Sequence, residues 1–355
     1  MRIEKIDKNF IVSSPDESET AFFDVSLPPF EVFGLMRDEG GWFRLPHELA
    51  AETNVGVAWL YLCTAGGRVR FRTNSNRIVL RAGMRNVSKM PHFAFSGSAG
   101  FDLYVDDVYR GTFIPPLDVE SSFESELYIG KGGKRDVTIH FPLYSGVTKL
   151  ELGFRAGSMI EKPSPYRTGA PVVFYGSSIT QGGCVSRPGN SYDNILSRLL
   201  SCDHVNLGFS GSAKGERCMA EYIAGLEMSA FVLDYDHNAP DPAHLESTHE
   251  AFFLVVREKN PSLPVFMLSR PQPNPKAEDL LRRDIVRKTW EKAKERGDEN
   301  AFFIDGTEIL KIFGGDCGTV DNCHPNDLGH FCMAKALEGG LRAVLEKGKE
   351  ETRRS

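Results

Sequence analysis

The sequence is short of cysteine pairs, of basic charge and of long apolar runs, and each shortage removes a class of function. Its seven cysteines (Cys63, Cys184, Cys202, Cys218, Cys317, Cys323 and Cys332) are odd in number and show no Cys-x-x-Cys spacing. They read as free thiols of a reducing compartment, most of them small core residues. Lys and Arg total 42 against 48 Asp and Glu, a net charge of -6, and the basic residues are scattered among acids. Nucleic acid is therefore not an expected partner. No apolar run approaches the ~20 residues that cross a bilayer, so no membrane partner is expected either. Met1-Arg2-Ile3-Glu4-Lys5 leads into more charge and not into a signal-peptide core. The expected setting is cytoplasmic, although a chain trimmed of its leader would look the same. Two motifs are also missing. Gly176, Gly182 and Gly183 surround a strand-to-helix turn without the Lys-Ser/Thr ending of a P-loop. Thr180 stands where a Gly-x-Ser-x-Gly elbow has its second glycine.

What is present falls into two patterns. Up to about residue 160 the chain reads as short strands between turn clusters: 57–62, 68–72, 78–81, 137–141 and 150–154 are period-two or continuous β-branched and aromatic runs. That pattern predicts an all-β sandwich. Gly100-Phe101-Asp102-Leu103-Tyr104-Val105-Asp106-Asp107-Val108-Tyr109 reads as a hairpin with an acidic turn; the competing reading makes Asp102, Asp106 and Asp107 a calcium site. Three prolines and a glycine between 161 and 171 mark a linker. Beyond it, strand and helix alternate: strands at 172–175, 204–208, 231–235, 264–268 and 301–304 precede helices from about 191, 216, 242, 276 and 327. Such alternation predicts a parallel five-stranded sheet with helices on both faces, an α/β domain over 172–350 after an accessory sandwich over 1–160. The loops at the strand ends share one rim, where open α/β sheets present their chemistry.

Polar residues gather at that rim. Ser178 follows the first strand, the glycine-rich Gly208-Phe209-Ser210-Gly211-Ser212 the second, and Asp236-His237-Asn238 the third; Asp321 and His324 follow the last. A nucleophile, a base, an acid to orient the base, and donors for an oxyanion are the parts of an acyl-transfer site. Taken singly, each residue has an ordinary explanation: Ser178 as a helix N-cap, Asp321 as a turn residue, His324 as a packed histidine before Pro325. Those readings do not explain the set.

Here the chain resembles the SGNH hydrolases, the GDSL esterase/lipase superfamily, over roughly 171–345. Gly176-Ser177-Ser178-Ile179-Thr180 resembles the first block, which places the nucleophile at Ser178. Ser210-Gly211 resembles the second and implies an oxyanion role for the Gly211 N–H, Asn238 resembles the third, and Asp321-x-x-His324 the last. Ser177 replaces the family's usual aspartate, and Asp236-His237-Asn238-Ala239 departs from Gly-x-Asn-Asp around the retained asparagine. Gly100-x-Asp102-Leu103-Tyr104 resembles the GxDLY β-domain that precedes SGNH domains in bacterial proteins, and two-domain enzymes of this shape include carbohydrate esterases. The resemblance implies a flavodoxin-like catalytic domain and a serine esterase acting on short-chain acyl esters, O-acetyl above all, of small-molecule or oligosaccharide alcohols. Its triad would be Ser178, His324 and Asp321, with an oxyanion hole from Ser178, Gly211 and Asn238. It implies no metal and no organic cofactor.

Other readings predict different outcomes. A metallohydrolase would draw on Asp234, Asp236, His237, Asp321 and His324; a carbohydrate-binding protein would have lost turnover; an acyltransferase would share the acyl-enzyme. His330 could be a second base or a ligand, against a structural role. His237 could touch substrate or order its loop, and Arg187-Pro188-Gly189-Asn190 could bind an acid or a sugar, against a turn that caps the next helix.

Overall fold

Five short apolar runs become five parallel strands in a computed structural model of the protein, which describes residues 20–130, 132–311 and 316–354. The expectation drawn from residues 1–5 lies outside this range. The strands are Val172–Gly176, His204–Gly208, Ala230–Asp234, Val265–Leu268 and Ala301–Ile304, and the order across the sheet is second, first, third, fourth, fifth. Burial on both faces explains why the runs are continuously apolar. Val173, Tyr175, Phe231 and Leu233 enter one core, with helices Arg217–Ala224, Pro242–Lys259 and Ala277–Glu295. Their sequence neighbours Val172, Phe174, Ala230 and Val232 enter the other, with Tyr192–Leu200 and Asp327–Arg354. The chain therefore leaves the first and third strands toward opposite faces. A crevice opens between them, where Gly176 lies beside Asp234 in parallel register.

The other half is two main antiparallel sheets and a small two-stranded one, Met36–Asp38 with Gly41–Phe43. Thr20–Asp24, Gly146–Arg155, Arg77–Asn86 and Ser122–Tyr128 form one; Ile160–Glu161, Arg68–Thr73, Arg135–His140, Phe101–Val105 and Val108–Phe113 form the second, with Glu31–Phe33 also against Arg68–Thr73. Alternate residues such as Val69, Phe71, Ile78, Leu80, Leu103 and Leu152 fill the space between.

One expectation needs correction, and one alternative falls. Residues 57–62 are not a strand, because Val57–Leu60 is a helical turn. Asn54 Oδ1 accepts the Val57 N–H at 2.9 Å, while its amide donates to Ser212 O at 2.9 Å and Glu216 Oε1 at 2.7 Å. Docking onto the far half thus decides the conformation of a segment whose composition suits a strand. The calcium reading also fails. Asp106 and Asp107 occupy the hairpin turn with φ of 50° and 60°, as a two-residue turn of this hand requires. The Asp102 carboxylate is fully buried and takes Thr112 Oγ1 at 2.6 Å, Arg187 Nη1 at 2.9 Å and the Gly189 N–H at 2.9 Å.

The halves share buried surface. Leu45, Ala50 and Val57 belong to the core of the parallel sheet. Arg44, 2 % exposed, donates to Cys63 O at 2.7 Å, Leu60 O at 2.8 Å, Asn206 O at 3.2 Å and Gly208 O at 2.6 Å. Burial lowers it only to about 10, so it stays charged, and a buried charge needs its donors engaged. These bonds tie the β half to the strand that carries the glycine-rich loop.

Candidate active site

Ser178 stands at the end of the first parallel strand because Gly176-Ser177 turns directly into the helix Ser178–Gln181. Ser177, not Ser178, is the N-cap: its Oγ accepts the Ile179 N–H at 3.1 Å. Ser178 is the first helical residue, and an N–H there has no intrahelical acceptor. The helix stops after one turn at Gly182, whose φ of 93° disfavours any residue with a Cβ. Thr180 Oγ1 and Tyr192 OH donate to Asp234 at 2.9 and 3.0 Å, fastening this turn to the third strand.

The histidine comes from the opposite end of the chain. His324 Nε2 lies 3.0 Å from Ser178 Oγ, and His324 Nδ1 lies 2.8 Å from Asp321 Oδ2. Asp321 Oδ1 also accepts the backbone N–H groups of His324 at 2.7 Å and Cys323 at 3.1 Å. Partial burial raises the Asp321 carboxyl, but the His324 N–H and ring, with Cys323 N–H, outweigh it and hold the group below its ordinary value. A carboxylate on Nδ1 places the ring proton there and turns the Nε2 lone pair toward Ser178. The arrangement can take a proton from the hydroxyl and keep the resulting imidazolium paired.

The other two expected residues lie on the neighbouring rim loops. The third strand lies beside the first, and its loop Asp236–Asn238 puts the Asn238 amide against Phe209 O at 2.9 Å. One amide hydrogen is held there, which fixes the direction of the other. Phe209 O also accepts Ser212 and Ala213 N–H at 2.9 and 3.2 Å, and Ser210 N–H goes to Gln181 Oε1 at 3.0 Å. Gly211, exposed with φ of 63°, keeps its N–H free of protein acceptors among the described residues.

The metallohydrolase set does not assemble. Asp234 is turned to Thr180 and Tyr192, Asp236 is buried and accepts the Arg270 N–H at 3.1 Å, and only Asp321 and His324 of the five lie together. His330 is structural. It is buried, with Nδ1 accepting Tyr192 N–H and Nε2 donating to Gly183 O, both at 3.2 Å, and burial lowers it to about 4. His237 orders its loop: Nε2 meets Arg270 and lies 3.4 Å from Cys323 Sγ, and burial, then Arg270, lowers the ring to about 4. Arg187 to Asn190 form neither an acid nor a sugar site of their own; Arg187 and Gly189 are held by Asp102.

Sequence reasoning missed several supporting groups. Arg270 follows the fourth strand and joins His237 to Cys323 Sγ at 3.5 Å; its place two residues past a strand end was the available signal. Tyr144, from the β half, donates to Ser178 O at 3.2 Å and carried no signal at all. His92 brings its ring centroid to 5.9 Å from that of His324. Cys184 is buried with φ of 71°. Burial, with Asp321 and Cys323 adding to it, pushes its thiol up to about 12, so it does not compete with Ser178 as a nucleophile.

The profile of the GDSL-like lipase/acylhydrolase family matches residues 169–342, and that of the GxDLY N-terminus of SGNH-type esterases matches 20–160. No curated protein sequence matches the chain. Among solved structures, a protein described as a GDSL-like lipase from Bacteroides ovatus is 27% identical over 92% of this chain and 98% of its own, with a TM-score of 0.81. The salicylyl-acyltransferase SsfX3 of a tetracycline biosynthetic pathway is 21% identical (92% and 97% covered, TM-score 0.76). A family two carbohydrate esterase from Clostridium thermocellum, in complex with cellohexaose, is 15% identical (92% and 99% covered, TM-score 0.61). The last two likenesses concern the fold. With both profiles in chain order over the sandwich and the parallel sheet, the protein belongs to the GDSL-like lipase/acylhydrolase family, in its SGNH form with a GxDLY N-terminal domain.

Proposed function

We propose that the protein is a serine esterase that removes short acyl groups, acetyl above all, from hydroxylated alcohols of the carbohydrate class. The observation that carries this reading is the unbroken line Ser178 Oγ, His324, Asp321, with contacts of 3.0 and 2.8 Å. His324 accepts the Ser178 proton as Oγ attacks the ester carbonyl and returns it to the departing alkoxide, while Asp321 stays ionised and steadies the imidazolium. The Ser178 and Gly211 N–H groups and the Asn238 amide face the oxyanion of the tetrahedral intermediate. A water, deprotonated by His324, then releases the acyl group as a carboxylic acid.

Side-chain exposures of 24% for His324 and 38% for Asp321 support hydrolysis over transfer, because water reaches the base without a cover being moved. The like fold of a carbohydrate esterase solved with cellohexaose supports the carbohydrate class for the alcohol. Para-nitrophenyl esters from acetate to decanoate and acetylated xylo- and gluco-oligosaccharides test the reading. Acetate release is expected to dominate, with EDTA leaving the rate unchanged. Fluorophosphonate should label the protein and fail to label Ser178→Ala. A preference for decanoate would move the activity to the lipases, and acyl transfer to a sugar in preference to water would make it a transferase.

A further inference from the structure

Three chain segments that are distant in sequence bring nitrogen and sulfur ligands together beside Ser178. His92 lies between the strand Arg77–Asn86 and the helix Phe95–Ala99 of the β half. Cys184 lies in the loop after the Ser178 turn, and His324 in the last rim loop. One ligand atom from each falls within 4.8 Å of the other two. In a tetrahedral zinc site, nitrogen and sulfur ligands stand about 3.4 to 3.8 Å apart. The three atoms would therefore have to draw together by at most about 1.4 Å. His92 is exposed and free to rotate, while Cys184 is held in the left-handed region at a φ of 71°, which fixes where its side chain starts.

We infer that His92, Cys184 and His324 form a site for a thiophilic divalent ion of the Zn2+ class, and that filling it switches the enzyme off. The inference rests on the esterase reading, since it makes the catalytic base a ligand. Two imidazoles and a thiolate are a borderline-soft set that suits Zn2+ and not Mg2+ or Ca2+. The Asp321 contact to His324 Nδ1 at 2.8 Å is the carboxylate–histidine pairing that orients zinc-bound imidazoles. It leaves the Nε2 lone pair as the donor. That lone pair is the one that accepts the Ser178 proton, at an Oγ 3.0 Å away, so ion and proton compete for a single atom. On binding, the Cys184 proton passes to solvent and a water takes the fourth position.

The test is a ZnCl2 titration of acetyl-ester hydrolysis in chelator-free buffer. Reversible inhibition, relieved by EDTA and not reproduced by MgCl2, is expected. His92→Ala and Cys184→Ser should keep the metal-free rate and each raise the half-inhibitory Zn2+ concentration tenfold or more. Should the serine variant fold poorly, Cys184→Gly suits the positive φ and serves instead. Cys323 also groups with Asp321 and His324, so Cys323→Ser is the control and should change nothing. A binding readout independent of turnover is a Co2+ titration of Ser178→Ala, where sulfur-to-cobalt charge transfer and visible tetrahedral bands should appear and vanish on Cys184→Ser. Insensitivity to Zn2+, or relief by Cys323→Ser in place of Cys184→Ser, overturns the inference. Cobalt bands that depend on Cys184 in a protein without esterase activity would keep the site and sink the esterase reading.

Discussion

The two halves of the molecule approach Ser178 differently. The parallel-sheet half supplies every group aimed at the reacting atoms of the proposed mechanism: Ser178, Gly211, Asn238, Asp321 and His324. The β half supplies groups that hold the loops bearing them. Arg44 donates to Gly208 O, Tyr144 to Ser178 O, and Asp102 accepts Arg187 and the Gly189 N–H. What the difference teaches is that the sandwich acts on geometry and the sheet on charge. Substitutions in the sheet should lower kcat in a protein that stays folded, and substitutions in the sandwich should cost stability first.

The hardest test of the sheet side is Asp321→Asn. The Asp321 carboxyl sits below its ordinary value, so the charge that steadies the imidazolium persists into acid and is lost only as pH falls through that lowered value. Asparagine cannot accept from both the ring and two backbone N–H groups as a charge does. A loss in kcat of up to about 10⁴-fold is expected, the size known for this change in a serine-protease triad. Near-normal turnover would mean that His324 is oriented by something else.

On the sandwich side the largest effect should come from Asp102→Ala. It leaves Arg187 half-buried without its carboxylate and orphans the Gly189 N–H, and breaking a buried pair of this kind costs about 3 to 5 kcal/mol. Chemical denaturation should show the loss, while kcat at a temperature where the variant is folded should stay within a few-fold. A fall in kcat without loss of stability would break the division between the halves. Asn238→Ala is the converse. About 2.7 to 4 kcal/mol should be lost in kcat, with KM little changed and fluorophosphonate labelling of Ser178 slowed but retained; full turnover would remove Asn238 from the oxyanion site.

The same division explains what was legible. Every strand and main helix of the parallel sheet could be read, because runs such as Val172-Val173-Phe174-Tyr175 are buried on both faces and bounded by turns. The rim residues followed from strand ends. The hairpin at Asp106-Asp107 was legible from local turn chemistry. Residues 57–62 were not, because their conformation is set by Asn54 reaching Ser212 and Glu216, contacts more than 150 positions away in the chain. Arg44, Tyr144, Arg270 and His92 were hidden for the same reason: each acts through a neighbour that only the fold provides. The N-cap reading offered for Ser178 fell one residue off, since both serines could cap and one residue of register decides which of them does.

The smallest expected effect tests the boundary itself. Tyr144 is the residue of the β half that touches the nucleophile's own backbone, donating to Ser178 O at 3.2 Å from a site 8% exposed. If the sandwich acts on geometry alone, Tyr144→Phe removes the neutral bonds to Ser178 O and to the Ser210 side chain, each worth about 0.5 to 1.5 kcal/mol of stability. The Ser178 carbonyl keeps its bond from Gly183 N–H at 2.8 Å, so it is not orphaned. The turn also stays fastened through Ser177 Oγ and through Thr180 to Asp234. Ser178 Oγ should therefore hold its place against His324, and kcat should fall by less than about tenfold, with an unchanged pH profile. A fall near the size expected for Asn238→Ala would show that the β half shapes the transition state through Ser178, and the contrast between the halves would have to be given up at that contact.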